Sequence, residues 1–306
     1  MKKYFWLCVF GLGLLNLQAQ QLNGFNLNGA LIAPKDIHRG GPPRDGIPSI
    51  DHPKFKKASE YKDFGNNSQM LGVFYNGIAK AYPIRILDWH EIVNDQYRGK
   101  PIAITYCPLC GSGMAFETDL SDGKSTEFGV SGLLYNSDVL LYDRSTNSLW
   151  SQIMGKAISG PLKGQELEPV STQRTTLGAW KALHPETLIL TKQTGFNRDY
   201  NRSPYGSYDT DNRTFFPVAN SDNTFHKKEW VIGIESNGVY KAYSIKRLAK
   251  LSNQKLVDKV GGESFTITWD KKAENVFIKN SNGKEVVGFQ MFWFAWAAFH
   301  PDTQIY

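Results

Sequence analysis

The chain has 306 residues, 41% hydrophobic and 21% charged, which excludes a disordered or fibrous protein and suffices for one large domain or two small ones. Its 35 Lys and Arg against 29 Asp and Glu give a formal charge of +6, but no dense basic run occurs, so nucleic acid is not an expected partner. Three cysteines are too few for a disulfide scaffold.

Residues 1–20 read as a secretory signal peptide. Lys2 and Lys3 form a positive start, Tyr4 to Leu17 is apolar, and Gln18-Ala19-Gln20 offers a small-residue cleavage site. The apolar run is shorter than the ~20 residues a membrane span needs. The mature chain is therefore expected to be periplasmic or secreted, with no membrane span. Cys8 leaves with the signal, so both remaining cysteines lie in one Cys-x-x-Cys. Residues 21–70 are polar and rich in Pro and Gly, as in Gly40-Gly41-Pro42-Pro43, and predict an extended arm over the surface.

Regular structure then begins, and the pattern occurs twice. Leu71-Gly72-Val73-Phe74-Tyr75-Asn76-Gly77-Ile78-Ala79-Lys80-Ala81-Tyr82 parallels Ile232-Gly233-Ile234-Glu235-Ser236-Asn237-Gly238-Val239-Tyr240-Lys241-Ala242-Tyr243. Asn-Gly between alternating apolar runs predicts a tight hairpin in each copy, because both turn positions need φ > 0. Short helical patterns follow, Ile86 to Val93 and Lys246 to Leu251. Trp180-Lys181-Ala182-Leu183-His184-Pro185 is echoed by Trp296-Ala297-Ala298-Phe299-His300-Pro301. The expected fold is α+β, β-dominated, with two related lobes from an internal duplication, 71–190 and 231–306, the second abbreviated. Residues 191–230 form a polar inter-lobe segment whose Tyr200, Tyr205, Tyr208, Phe215 and Phe216 predict a docked flap.

The chemistry concentrates at Cys107-Pro108-Leu109-Cys110-Gly111, between a strand over 101–106 and another near 114–116. Gly111 and Gly113 argue against the helix that follows the cysteines of thioredoxin-like proteins. Strand, Cys-Pro-x-Cys-Gly, strand matches the knuckle of rubredoxins and zinc ribbons, where both sulfurs converge on one metal. A redox dithiol and a structural pair are the alternatives. Under the repeat, Cys107 falls opposite Asp270 and Cys110 opposite Ala273, so the architecture does not need the sulfurs. His90, close before the cysteine strand, completes a metal set of Cys107, Cys110 and His90, with Asp88 and Glu91 as hydrogen-bonding supports behind it. The thiophilic ion expected is zinc or copper, and no nucleotide cofactor is expected. His184 and His300 recur in both halves and read as structural. Gly129-Val130-Ser131-Gly132 lacks the last glycine of a nucleophile elbow. Tyr135-Asn136-Ser137-Asp138 reads as a hairpin with polar tips.

Gly41 to Asp51, Trp89-His90-Glu91-Ile92-Val93-Asn94, Thr105-Tyr106-Cys107-Pro108-Leu109-Cys110-Gly111, Phe128 to Asp138 and Leu149-Trp150-Ser151-Gln152 together resemble the domain of unknown function family 3179 (DUF3179). The resemblance spans nearly the whole mature chain and implies an exported or cell-surface prokaryotic protein. It assigns no catalytic residue. Three functions follow from the residues: a thiolate-based metal site, a thiol–disulfide oxidoreductase, or a non-catalytic module binding a small molecule or an exported protein between the lobes.

Overall fold

The two Asn-Gly turns are where backbone sterics dictate the fold most directly. Asn76 and Gly77 have φ of 50° and 72°, and Asn237 and Gly238 have 51° and 76°. Each turn closes an antiparallel hairpin, Gln69–Tyr75 on Ile78–Pro83 and Trp230–Ser236 on Val239–Ser244. The computed structural model describes residues 21–306 apart from 121, 122 and 274. The predicted signal peptide lies outside the described residues.

The helix after the first hairpin is Ile84–His90, earlier than the pattern predicted. Glu91 adopts a left-handed conformation (φ 56°) and ends it, so Ile92 and Val93 pass into the strand Ile92–Tyr97. The second helix is the single turn Ile245–Leu248, capped by the Ser244 side chain, which accepts from the Arg247 amide.

Each hairpin gains an edge strand, a helix and a parallel strand. Around the first hairpin the order is Thr172–Thr176, Gln69–Tyr75, Ile78–Pro83, Leu188–Leu190, then Phe55–Lys57 from the arm. Around the second it is Phe289–Phe292, Trp230–Ser236, Val239–Ser244, Gln304–Ile305. Leu188 and Ile189 pair with Lys80 and Ala81, and Gln304 and Ile305 pair with Lys241 and Ala242.

The helices that bridge them, Leu177–Leu183 and Trp293–Phe299, press Trp180 onto Gly72 and Trp296 onto Gly233. A Cβ at either glycine would lie 2.5 or 2.0 Å from the indole, so only glycine fits. Trp180 Nε1 donates to Thr187 Oγ1 at 2.8 Å and Trp296 Nε1 to Thr303 Oγ1 at 2.9 Å. His184 and His300 each sit 4.2 Å, ring to ring, from those tryptophans, which is a packing role.

A second antiparallel sheet follows each hairpin: Ile92–Tyr97, Lys100–Cys107 and Ser112–Glu117 in one half, Lys255–Val260, Glu263–Asp270 and Asn275–Asn280 in the other. The first half holds one sheet more, built from Phe128–Tyr135, Asp138–Asp143, Leu149–Ser151 and Lys156–Ser159, with Ile37–Arg39 of the arm on its edge. The molecule is β-dominated, 42% strand and 11% helix, with its small sheets in a five-bladed, propeller-like ring. The arm is pinned as well as extended, because Phe25, Leu27, Ile37 and Ile50 bury their side chains beneath it.

One buried cluster draws on both halves. It joins Cys107, Cys110 and Trp150 to Val231, Phe292, Trp293 and Trp296. The Phe292 amide donates to the carbonyl of Cys110 at 2.8 Å, so the cysteine turn is seated against the second half. No helix among the described residues is long and apolar enough to cross a membrane.

Candidate metal centre

The strand Lys100–Cys107 delivers Cys107, and the turn over 108–111 returns the chain into Ser112–Glu117. Gly111 permits the return: its φ is 64°, and a Cβ there would meet the Trp230 ring at 2.7 Å. The corresponding turn of the second half has no sulfur. There Asp270 Oδ1 accepts from the amides of Lys272 and Ala273, so a carboxylate organises the same reversal locally.

Both thiols are free and buried. The Ser137 carbonyl lies 3.4 Å from Cys110 Sγ and 3.7 Å from Cys107 Sγ. That carbonyl comes from the hairpin tip between Phe128–Tyr135 and Asp138–Asp143, where Asn136 and Ser137 both have positive φ. The sequence predicts a hairpin with a polar tip here. Instead Asn136, Ser137 and Asp138 are all buried. Asn136 Nδ2 donates to the Ala298 carbonyl at 3.2 Å, and the Ala219 amide donates to Asn136 Oδ1 at 2.7 Å. Partners more than 80 residues away in sequence thus hold the tip inward.

Asp138 is the consequence. One atom from each of Cys107, Cys110 and Asp138 lies within 4.8 Å of the others, the one such group of three or more metal-ligating side chains among the described residues. Asp138 Oδ2 accepts from the Ile153 amide at 3.1 Å, while Oδ1 is buried and has no partner. Burial raises the Asp138 pKa to about 7, against the Ile153 amide and the neighbouring Cys107 and Cys110 thiols. Burial also pushes the Cys107 thiol up and the Cys110 thiol well up.

His90 stands elsewhere. Its Nδ1 donates to the Pro48 carbonyl at 2.7 Å, which leaves Nε2 to accept from the Tyr200 hydroxyl at 2.7 Å. Both ring nitrogens are used, and burial lowers the pKa to about 4, so the imidazole is neutral. The structure brings Asp138, and not His90, to the two sulfurs. Glu91 accepts from the Tyr205 hydroxyl at 3.2 Å and does not support a histidine ligand. Burial raises Glu91 to about 8 and Asp88 to about 6. Both carboxyls line a cavity of about 440 Å³, with Leu109, Val139, Tyr205 and Phe216 among its other walls.

Residues 191–230 cover this region. Tyr208 is buried, and Lys228 places Nζ 3.3 Å from the centre of the Tyr208 ring while donating to the Arg213 carbonyl at 3.0 Å. Burial lowers Lys228 to about 8, although the nearby Cys110 opposes that shift. Ser131, the faint elbow residue, is buried and donates to the Leu140 carbonyl, so it offers no exposed nucleophile.

Asp138 was missed because a hairpin-tip aspartate reads as solvated. A signal was present, since Asn-Ser-Asp lies within the long stretch from Phe128 that carries the family resemblance. No curated protein and no solved structure matches the chain. A family model described as "Protein of unknown function (DUF3179)" matches residues 44–288, well over half of the sequence. The chain belongs to the DUF3179 family.

Proposed function

We propose that this protein holds a thiophilic metal ion, zinc or copper, on Cys107, Cys110 and Asp138. The observation that carries the reading is the buried, unpartnered Oδ1 of Asp138 beside two buried sulfurs. A buried polar atom without a partner is costly, and metal ligation is one way to satisfy it. Two thiolates and a carboxylate suit zinc or copper better than a hard cation. Three protein ligands leave a coordination position for a further group, so the centre fits a reactive role as well as a structural one.

The test is a titration of the anaerobically purified chain with Zn²⁺ and with Cu⁺. One equivalent is expected to bind and to protect both thiols from alkylation. Asp138→Asn is expected to weaken binding by at least about tenfold and Cys107→Ser by more, as for groups that hold or orient a metal. Failure to bind one equivalent, or full binding by Cys107→Ser, would overturn the reading.

The second reading is a thiol–disulfide oxidoreductase, favoured by the closeness of the two sulfurs. Exchange needs an accessible thiolate, and burial here raises both thiols. We rank it below the metal site. The third is a binding module whose ligand occupies the cavity beneath Tyr205 and Phe216. Its loss would follow substitution of cavity residues and not of the cysteines.

We also infer that the two halves descend from one duplicated unit, with the cysteines and the additional sheet confined to the first. Matching strand order and register, and the paired Gly–Trp–Thr–His packing, support this. So do the equivalent ion pairs, Lys80 with Asp95 at 2.8 Å and Lys241 with Asp258 at 2.7 Å. Export by a cleaved signal peptide is proposed from Lys2, Lys3 and the apolar run after them.

A further inference from the structure

The cysteine turn has a second cleft on its other side. A cavity of about 550 Å³ is walled by Tyr106 and Pro108 of the turn's approach, by Tyr208 of the inter-lobe segment, and by Trp230 and Phe292 of the second half. The rest of its wall is polar, with Asn66, Asn67, Ser68 and Ser203, and beside the aromatic part the strand Thr172–Thr176 contributes Arg174.

Arg174 is an unusual arginine. Its guanidinium lies 4.0 Å from the centre of the Trp230 ring. It has no ion-pair partner among the described residues, and its Nε is buried without a hydrogen bond. Burial lowers its pKa, but an arginine stays charged at any ordinary pH. Only Nε is sealed from water; the residue as a whole is half-buried, with Asp88 and Asp209 near but not in ion-pair contact, so the guanidinium is open to a ligand in the cleft while its Nε lacks an acceptor. The second half makes the same point. Arg174 pairs with Leu71 across the sheet, and Gln290 pairs with Ile232 in the matching place. Gln290 is neutral and satisfied internally, its Nε2 donating to Asn275 Oδ1 at 2.6 Å. The scaffold therefore accepts a neutral residue there, and the charge belongs to the first half alone.

We propose that this cleft binds a small organic monocarboxylate, with its carboxylate on the Arg174 guanidinium and its flat or apolar body against the aromatic wall. The planar guanidinium fork matches a carboxylate edge to edge. Arg85, Asp88 and Asp209 line the same cleft with Arg174, so two cations face two carboxyls and a singly charged anion suits the site better than a doubly charged one such as phosphate. Its volume falls in the range of small-molecule sites. Gly111 abuts Trp230 and Phe292, so the cleft adjoins the cysteine turn, yet the binding does not require a metal at Cys107 and Cys110.

The test is calorimetric titration of the whole mature chain, as isolated, with phenylacetate, phenylacetamide and inorganic phosphate. Phenylacetate is expected to bind saturably with one site per chain. Phenylacetamide, which keeps the body and loses the charge, is expected to bind at least about tenfold more weakly, as is phosphate. Arg174→Met is expected to weaken phenylacetate binding by about tenfold or more, and Arg174→Lys by several-fold, because lysine keeps the charge and loses the fork. Should Arg174→Met fail to fold, Arg174→Lys and the comparison of the two ligands on the wild-type chain still decide. Absence of saturable phenylacetate binding, equal affinity for phenylacetamide, tighter binding of phosphate, or unchanged affinity in either variant would overturn the proposal.

Discussion

A carboxyl raised to a pKa of about 8, as burial raises Glu91, keeps its proton in the folded chain where the unfolded chain has released it. Stability from this group is full below its ordinary value of 4.5 and is lost as pH rises through about 8. Asp138, raised to about 7, acts in the same direction. His90 acts oppositely: its pKa falls from 6.5 to about 4, so its contribution grows as pH rises and is complete above 6.5. Lys228, lowered from 10.5 to about 8, adds stability only as pH rises beyond about 8. Between these limits the carboxyls dominate. Metal-free protein is expected to lose on the order of 1–2 kcal/mol between pH 6.5 and 8, and Glu91→Gln to remove much of that slope. Urea midpoints across the interval measure it, and a flat profile in the wild type would refute it.

At the scale of elements, the cysteine turn depends on Gly111 and the hairpins on Gly72 and Gly233. Gly111→Ala would force a left-handed alanine and drive its Cβ into Trp230. A loss of about 1–3 kcal/mol is expected, together with weaker metal binding. Gly233→Ala meets the Trp296 indole and is expected to cost at least as much stability without touching the sulfurs. Thermal melts and metal titrations of the two variants separate these effects. Metal affinity unchanged in Gly111→Ala would show that the turn's backbone does not set the site. The hairpins were legible because Asn-Gly and alternating apolar residues act over four to six residues. The helix after the first hairpin was legible in kind, but it begins two residues and ends three residues earlier than the pattern predicts, since a left-handed Glu91 carries no local sequence signal.

For the whole molecule, the relevant fact is that one core spans both halves. Fragment 231–306 alone would expose Phe292, Trp293 and Trp296, which lose the cover of the cysteine turn and the Trp150 sheet. It is expected not to melt cooperatively by itself, while co-expression with fragment 21–230 restores a single transition. A cooperative melt of the isolated fragment would establish an independent domain. The segment 191–230 shares this dependence. Tyr200 binds His90, Tyr205 binds Glu91 and Phe216 accepts from Ser137 Oγ, so it is a docked wall of the site.

What the sequence determined by itself was local or periodic: the β-dominated composition of the fold, the Asn-Gly turns, the Cys-Pro-Leu-Cys turn and the family. These rest on steric preferences and hydrophobic alternation that act between near neighbours. Tertiary structure decided the third member of the sulfur group and the fate of His90. Whether Asp138 faces water or the thiols depends on Ala298 and Ala219 holding Asn136 inward, and His90 is claimed by Pro48 and Tyr200. Those contacts join residues 42 to 162 positions apart, and burial of a polar group is a property of such closures, which no local pattern encodes.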